Sequence, residues 1–154
     1  MRSDIVPGGI FPDYELADHT GTLRKLSALQ GDDPLILTLA RGHYCPKEHQ
    51  QHLELAAFYP KIAVAYTQIA TITTDDHHTL QEFRASVGAQ WTFLSDPDRT
   101  IQKDLDIQEY TDWDLSTPGL RQAWDAGDYS KFHGWDRRSP QSKPTSYVEP
   151  GQAG

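Results

Sequence analysis

Two unbroken apolar runs, each followed by a helical pattern, predict an α/β fold in which parallel strands are layered with helices. The runs are Leu35-Ile36-Leu37-Thr38-Leu39-Ala40 and Gln68-Ile69-Ala70-Thr71-Ile72-Thr73, and strands that lack polar alternation suit a sheet covered on both faces. A third, shorter run, Trp91-Thr92-Phe93-Leu94, completes an alternation of strand, helix, strand, helix, strand, helix.

The elements follow in order. Residues 11–18, Phe11-Pro12-Asp13-Tyr14-Glu15-Leu16-Ala17-Asp18, alternate apolar and polar side chains. His19-Thr20-Gly21-Thr22 makes a turn before Leu23-Arg24-Lys25-Leu26, so the chain opens with an N-terminal hairpin. Ser27-Ala28-Leu29-Gln30-Gly31 reads as one helical turn closed by glycine, and Asp32-Asp33-Pro34 leads into the first apolar run, taken as a central strand. A helix is expected over 46–59, with Leu53, Leu55, Ala56, Ala57 and Tyr59 on its apolar face and His, Glu and Gln on its polar face. Pro46 suits the first helical position, where its missing N–H needs no partner, and Glu48 lies in the first turn, favoured by the helix dipole. Thr74-Asp75-Asp76 offers capping side chains to a helix through Leu80, Phe83 and Val87, which Gly88 stops. Ser95-Asp96-Pro97-Asp98-Arg99 caps a last helix reaching about Leu105.

From Asp112 the character changes: three of the four tryptophans fall here among Gly, Pro and Asp, with no apolar run long enough for a strand. The division expected is a folded domain over 1–111 and a poorly structured tail over 112–154. One short helix is expected in Ser116-Thr117-Pro118-Gly119-Leu120-Arg121-Gln122-Ala123-Trp124, and the end from Ser139 reads as disordered.

Composition narrows the function classes. Fourteen basic against twenty-two acidic side chains give a net charge of −8, which disfavours nucleic acid and anionic lipid as partners. No apolar stretch approaches the roughly 20 residues of a membrane span, and the N-terminus lacks the apolar core of a signal peptide, so a cytoplasmic protein is expected. The single cysteine, Cys45, rules out an internal disulfide and four-cysteine zinc patterns. Any redox cycle must borrow a second thiol.

Cys45 ends the loop Arg41-Gly42-His43-Tyr44 between an apolar strand and a helix that starts at Pro46. A useful nucleophile must be thiolate, and an ordinary thiol of pKa about 8.5 is only a few per cent ionised at neutral pH. The helix N-terminus and the Arg41 charge together are expected to lower that value by about one to two pH units, with Glu48 opposing them. Tyr44 is expected to pack over the sulfur and, with Pro46, to border the substrate. His43 stands either as a proton shuttle or as an ordinary loop residue, and Arg99 reads as a solvated surface charge. A lone cysteine also has a plain alternative as a small buried hydrophobe.

At this point the chain resembles the peroxiredoxins, the alkyl-hydroperoxide-reductase/thiol-specific-antioxidant branch of the thioredoxin-like superfamily. Four pieces occur in the family's order: Phe11-Pro12-Asp13-Tyr14-Glu15-Leu16 with Gly21; Leu26-Ser27-Ala28-Leu29-Gln30-Gly31; the strand into Arg41-Gly42-His43-Tyr44-Cys45-Pro46; and Phe93-Leu94-Ser95-Asp96-Pro97-Asp98-Arg99-Thr100-Ile101. The resemblance implies a thioredoxin-like three-layer fold and a peroxidatic Cys45 that attacks a hydroperoxide. The product would be a sulfenic acid, which an external thiol reduces. No cofactor is implied.

Three departures accompany it. Gly42 stands where many relatives carry a threonine or serine that helps hold the peroxide. Glu48 stands where a second cysteine of the C-x-x-C spacing would fall, so the resemblance is to the one-cysteine type. After Tyr110-Thr111-Asp112 nothing reads as the family's closing strand-strand-helix unit, whose first strand supplies an arginine beside the thiolate. An internal deletion near residue 112 is therefore expected, leaving the fold incomplete in its C-terminal half and the sheet with an unpaired edge. Exposed edges make a homo-oligomer an expectation. Two other functions stay open: a redox-inert thioredoxin-like interaction module, and a metal site at Cys45, His49 and His52.

Overall fold

Successive residues of β4 (Gln68–Thr73) alternate between two differently filled faces of one sheet. Ile69 joins Ile62, Leu80, Phe83, Val87, Ala89, Trp91 and Phe93 on one side, and Ala70 and Ile72 join Leu26, Leu94, Ile101 and Leu105 on the other. The period of two along a strand produces this division. The computed structural model describes residues 1–107 together with Gln122, Asp125 and Ala126.

The hairpin forms from β1 (Glu15–Asp18) and β2 (Leu23–Lys25), and α1 (Leu26–Gln30) follows directly. Asp18 organises its turn, accepting hydrogen bonds from Thr20 N–H, Thr22 N–H and the Arg24 guanidinium at 2.8, 3.1 and 3.0 Å. Then come β3 (Leu35–Leu39), α2 (Pro46–Ala63), β4, α3 (His77–Ser86), β5 (Thr92–Ser95) and α4 (Thr100–Asp104). The sheet order is β2-β1-β5-β4-β3, with β3, β4 and β5 parallel and the hairpin antiparallel to β5. Helices α2 and α3 supply one outer layer, α1 and α4 the other. This is the thioredoxin-like arrangement expected from the sequence.

Three expectations need correction. The run at 35–40 was expected as a central strand, yet β3 is the last strand of the sheet among the described residues and is only partly buried; β4 takes the central place. Apolar content alone does not distinguish an edge whose face is half covered from a centre covered twice. Helix α2 continues past Tyr59 to Ala63 with Pro60 inside its last turns, where the proline forfeits one hydrogen bond while Ile62 gains a place in the core. The third concerns the faces of α2. Leu53 is exposed, whereas Glu48, His49 and His52 are buried with Leu55, Ala56 and Tyr59 packed below them.

The acceptors at the starts of α3 and α4 come from the two stretches expected to cap them. Asp76 accepts from Thr79 N–H at 2.9 Å, and the buried Asp96 accepts from the N–H groups of Thr100 and Ile101, both at 2.9 Å. The chain divides into two units, Met1–Gln108 and Glu109–Gly154. In the second, Ala126 N–H donates to the Gln122 carbonyl at 3.0 Å. The rest of the helix expected at 116–124, the disordered end and the deletion near residue 112 lie outside the described residues.

Candidate active site

The parallel pairing of β3 with β4, with Leu39 opposite Ile72, carries both strands to the same edge of the sheet. The loop 41–45 leaves β3 there, beside Thr74 and Asp75 at the end of β4. The two loops are tied together: Thr74 Oγ1 donates to the Arg41 carbonyl, and His43 N–H donates to the Asp75 carboxylate at 2.9 and 3.1 Å. Gly42 adopts φ +125° between them, and a Cβ at that position would lie 2.6 Å from Asp75 Oδ1. Glycine at residue 42 thus has a local cause. The Asp75 carboxylate fills the space that a side chain at residue 42 would need.

Cys45 stands at the N-cap of α2 and Pro46 is the first helical residue. The N–H groups of Lys47 and Glu48 face the sulfur and favour its anion, though no full capping hydrogen bond closes. The thiol is 2% exposed. Burial pushes its pKa up from the ordinary value, Arg41 pulls it down and Glu48 pushes it up again. The expected lowering by one to two pH units is overturned because desolvation of the thiolate outweighs the helix N-terminus and one arginine. That arginine is also shared: Arg41 N–H and Nε both meet Glu48 Oε1, at 3.3 and 3.4 Å.

Tyr44, half exposed, lies close enough to feel the Cys45 charge, and its phenol is pushed up first by burial and then by that charge. Pro46 is buried at the start of α2. Arg41, Tyr44, Cys45 and Pro46 are therefore brought together, with Glu48 among them. Lys47, on the same turn, has a buried Nζ without a hydrogen-bond partner.

The two helix histidines belong to the support of the site. His49 Nε2–H donates to the His43 carbonyl at 2.8 Å, holding the loop from below. His52 Nδ1–H donates to the Glu48 carbonyl at 2.7 Å, which leaves Nε2 to accept from Thr71 Oγ1 at 3.2 Å. Thr71 in turn accepts from Trp91 Nε1–H at 2.9 Å and lies 2.7 Å from Thr38 Oγ1. Both rings pack against Phe83, 4.8 and 5.1 Å between centroids. Burial lowers His49 to about 4 and lowers His52 as well, so both are neutral at pH 7. With these nitrogens committed to protein partners, His49 and His52 are not arranged with Cys45 as metal ligands, and no group of three such residues suited to a metal occurs among the described residues.

Sequence reasoning missed Asp75 as a buried clamp, Lys47 as a buried amine and the inward face of α2. The last was readable: positions 48, 49, 52, 55, 56, 59 and 62 recur at three and four residues once histidine is allowed on an apolar stripe.

A sheet of this topology delivering a cysteine to the N-terminus of the helix after β3 defines a thioredoxin-fold protein of the peroxiredoxin type. The AhpC/TSA family model matches residues 7–124, and the chain belongs to the AhpC/TSA family. Among solved structures, peroxiredoxin Q of Xanthomonas campestris is 21% identical at a TM-score of 0.56, covering 64% of this chain and 61% of its own. Peroxidoxin BcpB of Mycobacterium tuberculosis is 26% identical at a TM-score of 0.55, with 65% of each chain covered. A conserved protein of Geobacillus kaustophilus is similar at 19% identity and a TM-score of 0.53, covering 62% of this chain and 55% of its own. The chain thus spans less than two thirds of the length of these relatives. No curated protein sequence matches it.

Proposed function

We propose that the chain is a thiol-dependent peroxidase of the one-cysteine type, reducing hydroperoxides through a sulfenic acid on Cys45. The observation that carries this is the placement of Cys45 at the N-terminus of α2, with two backbone N–H groups facing its sulfur and Arg41 within electrostatic reach. Those N–H groups favour the thiolate, and beside the reacting oxygens they would hold charge as the O–O bond breaks. Arg41 serves as the cation of the site, while Tyr44 and Pro46 border the substrate. Because the thiol is almost fully buried, the loop 41–44 must open for a peroxide to reach it.

Turnover needs an external thiol, since the chain has one cysteine. A soluble, cytoplasmic setting fits this dependence, and no helix among the described residues is long and apolar enough to cross a membrane. The free side of β3 among the described residues supports self-association edge to edge.

The test is direct. Stoichiometric hydrogen peroxide should add one oxygen to Cys45, trapped by dimedone and seen by mass spectrometry, and a small thiol should then sustain peroxide consumption. Both signals should vanish in Cys45→Ser. A wild-type protein that stays unlabelled at tenfold excess peroxide would be the redox-inert module instead.

A further inference from the structure

His43 is held from three elements at once. Its N–H donates to the Asp75 carboxylate, in the loop after β4, at 2.9 and 3.1 Å. Its carbonyl accepts from His49 Nε2–H of α2 at 2.8 Å. Its ring sits against the His49 ring and against Phe83 of α3, 4.8 and 5.8 Å between centroids. Yet Nδ1 of that ring is buried with no hydrogen-bond partner. A ring nitrogen closed off from water in this way weighs against the seat that closes it off.

The same residue lies in the turn that closes on the cysteine. Cys45 N–H donates to the Gly42 carbonyl at 3.1 Å, which puts His43 and Tyr44 at the centre of a four-residue turn ending at the thiol. Gly42 supplies the turn's first residue at φ +125°, and Pro46 begins the helix just beyond it. With Cys45 only 2% exposed, a reagent reaches the sulfur when this turn lifts. Lifting it takes His43 off both backbone partners and out of its slot. Water then satisfies Nδ1, the N–H and the carbonyl, so the loss that remains is the packing of one ring on His49 and Phe83. A closed state held by so narrow a margin coexists with a minor open one.

We propose that His43 is the plug of Cys45: its ring, seated between His49 and Phe83, holds the turn shut over the sulfur, and its withdrawal is the step that admits the peroxide. The unpartnered nitrogen keeps the seat from being too tight. His43 acts through the loop and not on the reacting atoms, so it is a positioning residue. This deepens the thiol-peroxidase reading and rests on it, because that reading requires a route to a buried thiol.

The experiment uses the full chain and the variants His43→Phe, His43→Leu and His43→Ala, each checked for folding by circular dichroism. Cys45 alkylation by iodoacetamide, followed across a pH series, gives the rate per thiolate. Deuterium exchange of a peptide spanning 41–45 reports opening without any reagent. Phe and Leu fill the slot without bringing a buried nitrogen, so both readouts should slow, by about threefold. Ala empties the slot, so both should rise, by about tenfold. Stopped-flow rates with hydrogen peroxide should fall and rise in the same order. If neither folded filler slows alkylation and exchange, the proposal is overturned and His43 is an ordinary loop residue. A peroxide rate lost in all three variants, with rates of alkylation per thiolate and exchange unchanged, would also overturn it, since that is the pattern of a proton shuttle. If alkylation and exchange move as stated while peroxide leaves wild-type Cys45 unlabelled, the plug stands and the thiol-peroxidase reading fails.

Discussion

The two faces of the sheet are filled with different chemistry. On the α1/α4 side the buried cluster is aliphatic throughout: Leu26, Ala70, Ile72, Leu94, Ile101 and Leu105. On the α2/α3 side aromatic rings surround two buried histidines, and β4 contributes Thr71 and Thr73 to that face. The first face needs only to exclude water, so its contacts are interchangeable within volume limits. The second must satisfy every ring nitrogen and hydroxyl it buries. The chain Trp91 to Thr71 to His52 to the Glu48 carbonyl, and the bond from His49 to the His43 carbonyl, meet most of that demand, while His43 Nδ1, in a ring packed against His49 and Phe83, is buried without a hydrogen-bond partner. The difference shows what positions the cysteine loop. Polar groups of the core hold it from below, and the aliphatic face takes no part.

The largest separation between the faces should come from deleting a ring. Phe83 is fully buried and packs against His43, His49, His52 and Phe93. Phe83→Ala should cost about 3–5 kcal/mol in urea unfolding. Leu37→Ala, in the partly covered β3 on the other face, should cost about 1 kcal/mol. Comparable losses would mean that the two faces are packed alike.

Acid should separate them next. Burial lowers His49 from an ordinary 6.5 to about 4, so the unfolded chain binds the proton first, and stability is full above pH 6.5 and lost as pH falls toward 4. The interval corresponds to at most roughly 3 kcal/mol, and the lowering of His52 adds in the same direction. Urea midpoints at pH 7 and pH 4.5 check this: His49→Phe should remove part of the drop, and Ile72→Val on the aliphatic face should leave the drop intact.

Legibility in the sequence followed the same division. The strands at 68–73 and 92–95, the hairpin around Asp18 to Thr22, and the Cys45-Pro46 helix start were readable because apolar runs, turn residues and proline act locally. The aliphatic cluster followed from the runs themselves. The polar face did not. His49 and His52 were assigned to solvent because an isolated helix gives them no partners, and those partners, Thr71 and the His43 and Glu48 carbonyls, are supplied by tertiary structure. Asp75 and Asp76 look equivalent in the sequence. Only the fold turns one under Gly42 and leaves the other to cap α3. The pKa of Cys45 was misjudged for the same reason, since charge and dipole are visible in the sequence and desolvation is not.

The clamp of Asp75 on Gly42 gives the third comparison, between the loop and its support. Gly42→Ala meets both a left-handed backbone and the carboxylate 2.6 Å away, and should destabilise by about 2 kcal/mol. Asp75→Asn keeps one oxygen for the His43 N–H and should cost less, about 1 kcal/mol. Urea unfolding ranks the two. The reverse order would show that charge on Asp75, and not the space it fills, fixes the loop.

The smallest effect concerns charge at the sulfur alone. Glu48 Oε1 holds Arg41 at 3.4 Å, and the Glu48 carboxylate pushes the Cys45 thiol up while Arg41 pulls it down. Glu48→Gln removes the repulsion directly and leaves the guanidinium uncompensated, so both consequences favour thiolate. The pH midpoint of Cys45 alkylation should fall by about half to one pH unit. Asp104→Asn, which removes an exposed charge on α4 paired with Arg2, should leave that midpoint where it is. Burial remains the first influence on the sulfur in either variant. A fall of well over one pH unit in Glu48→Gln would show that the closed loop opens once Glu48 no longer holds Arg41, and that the thiol is then hydrated.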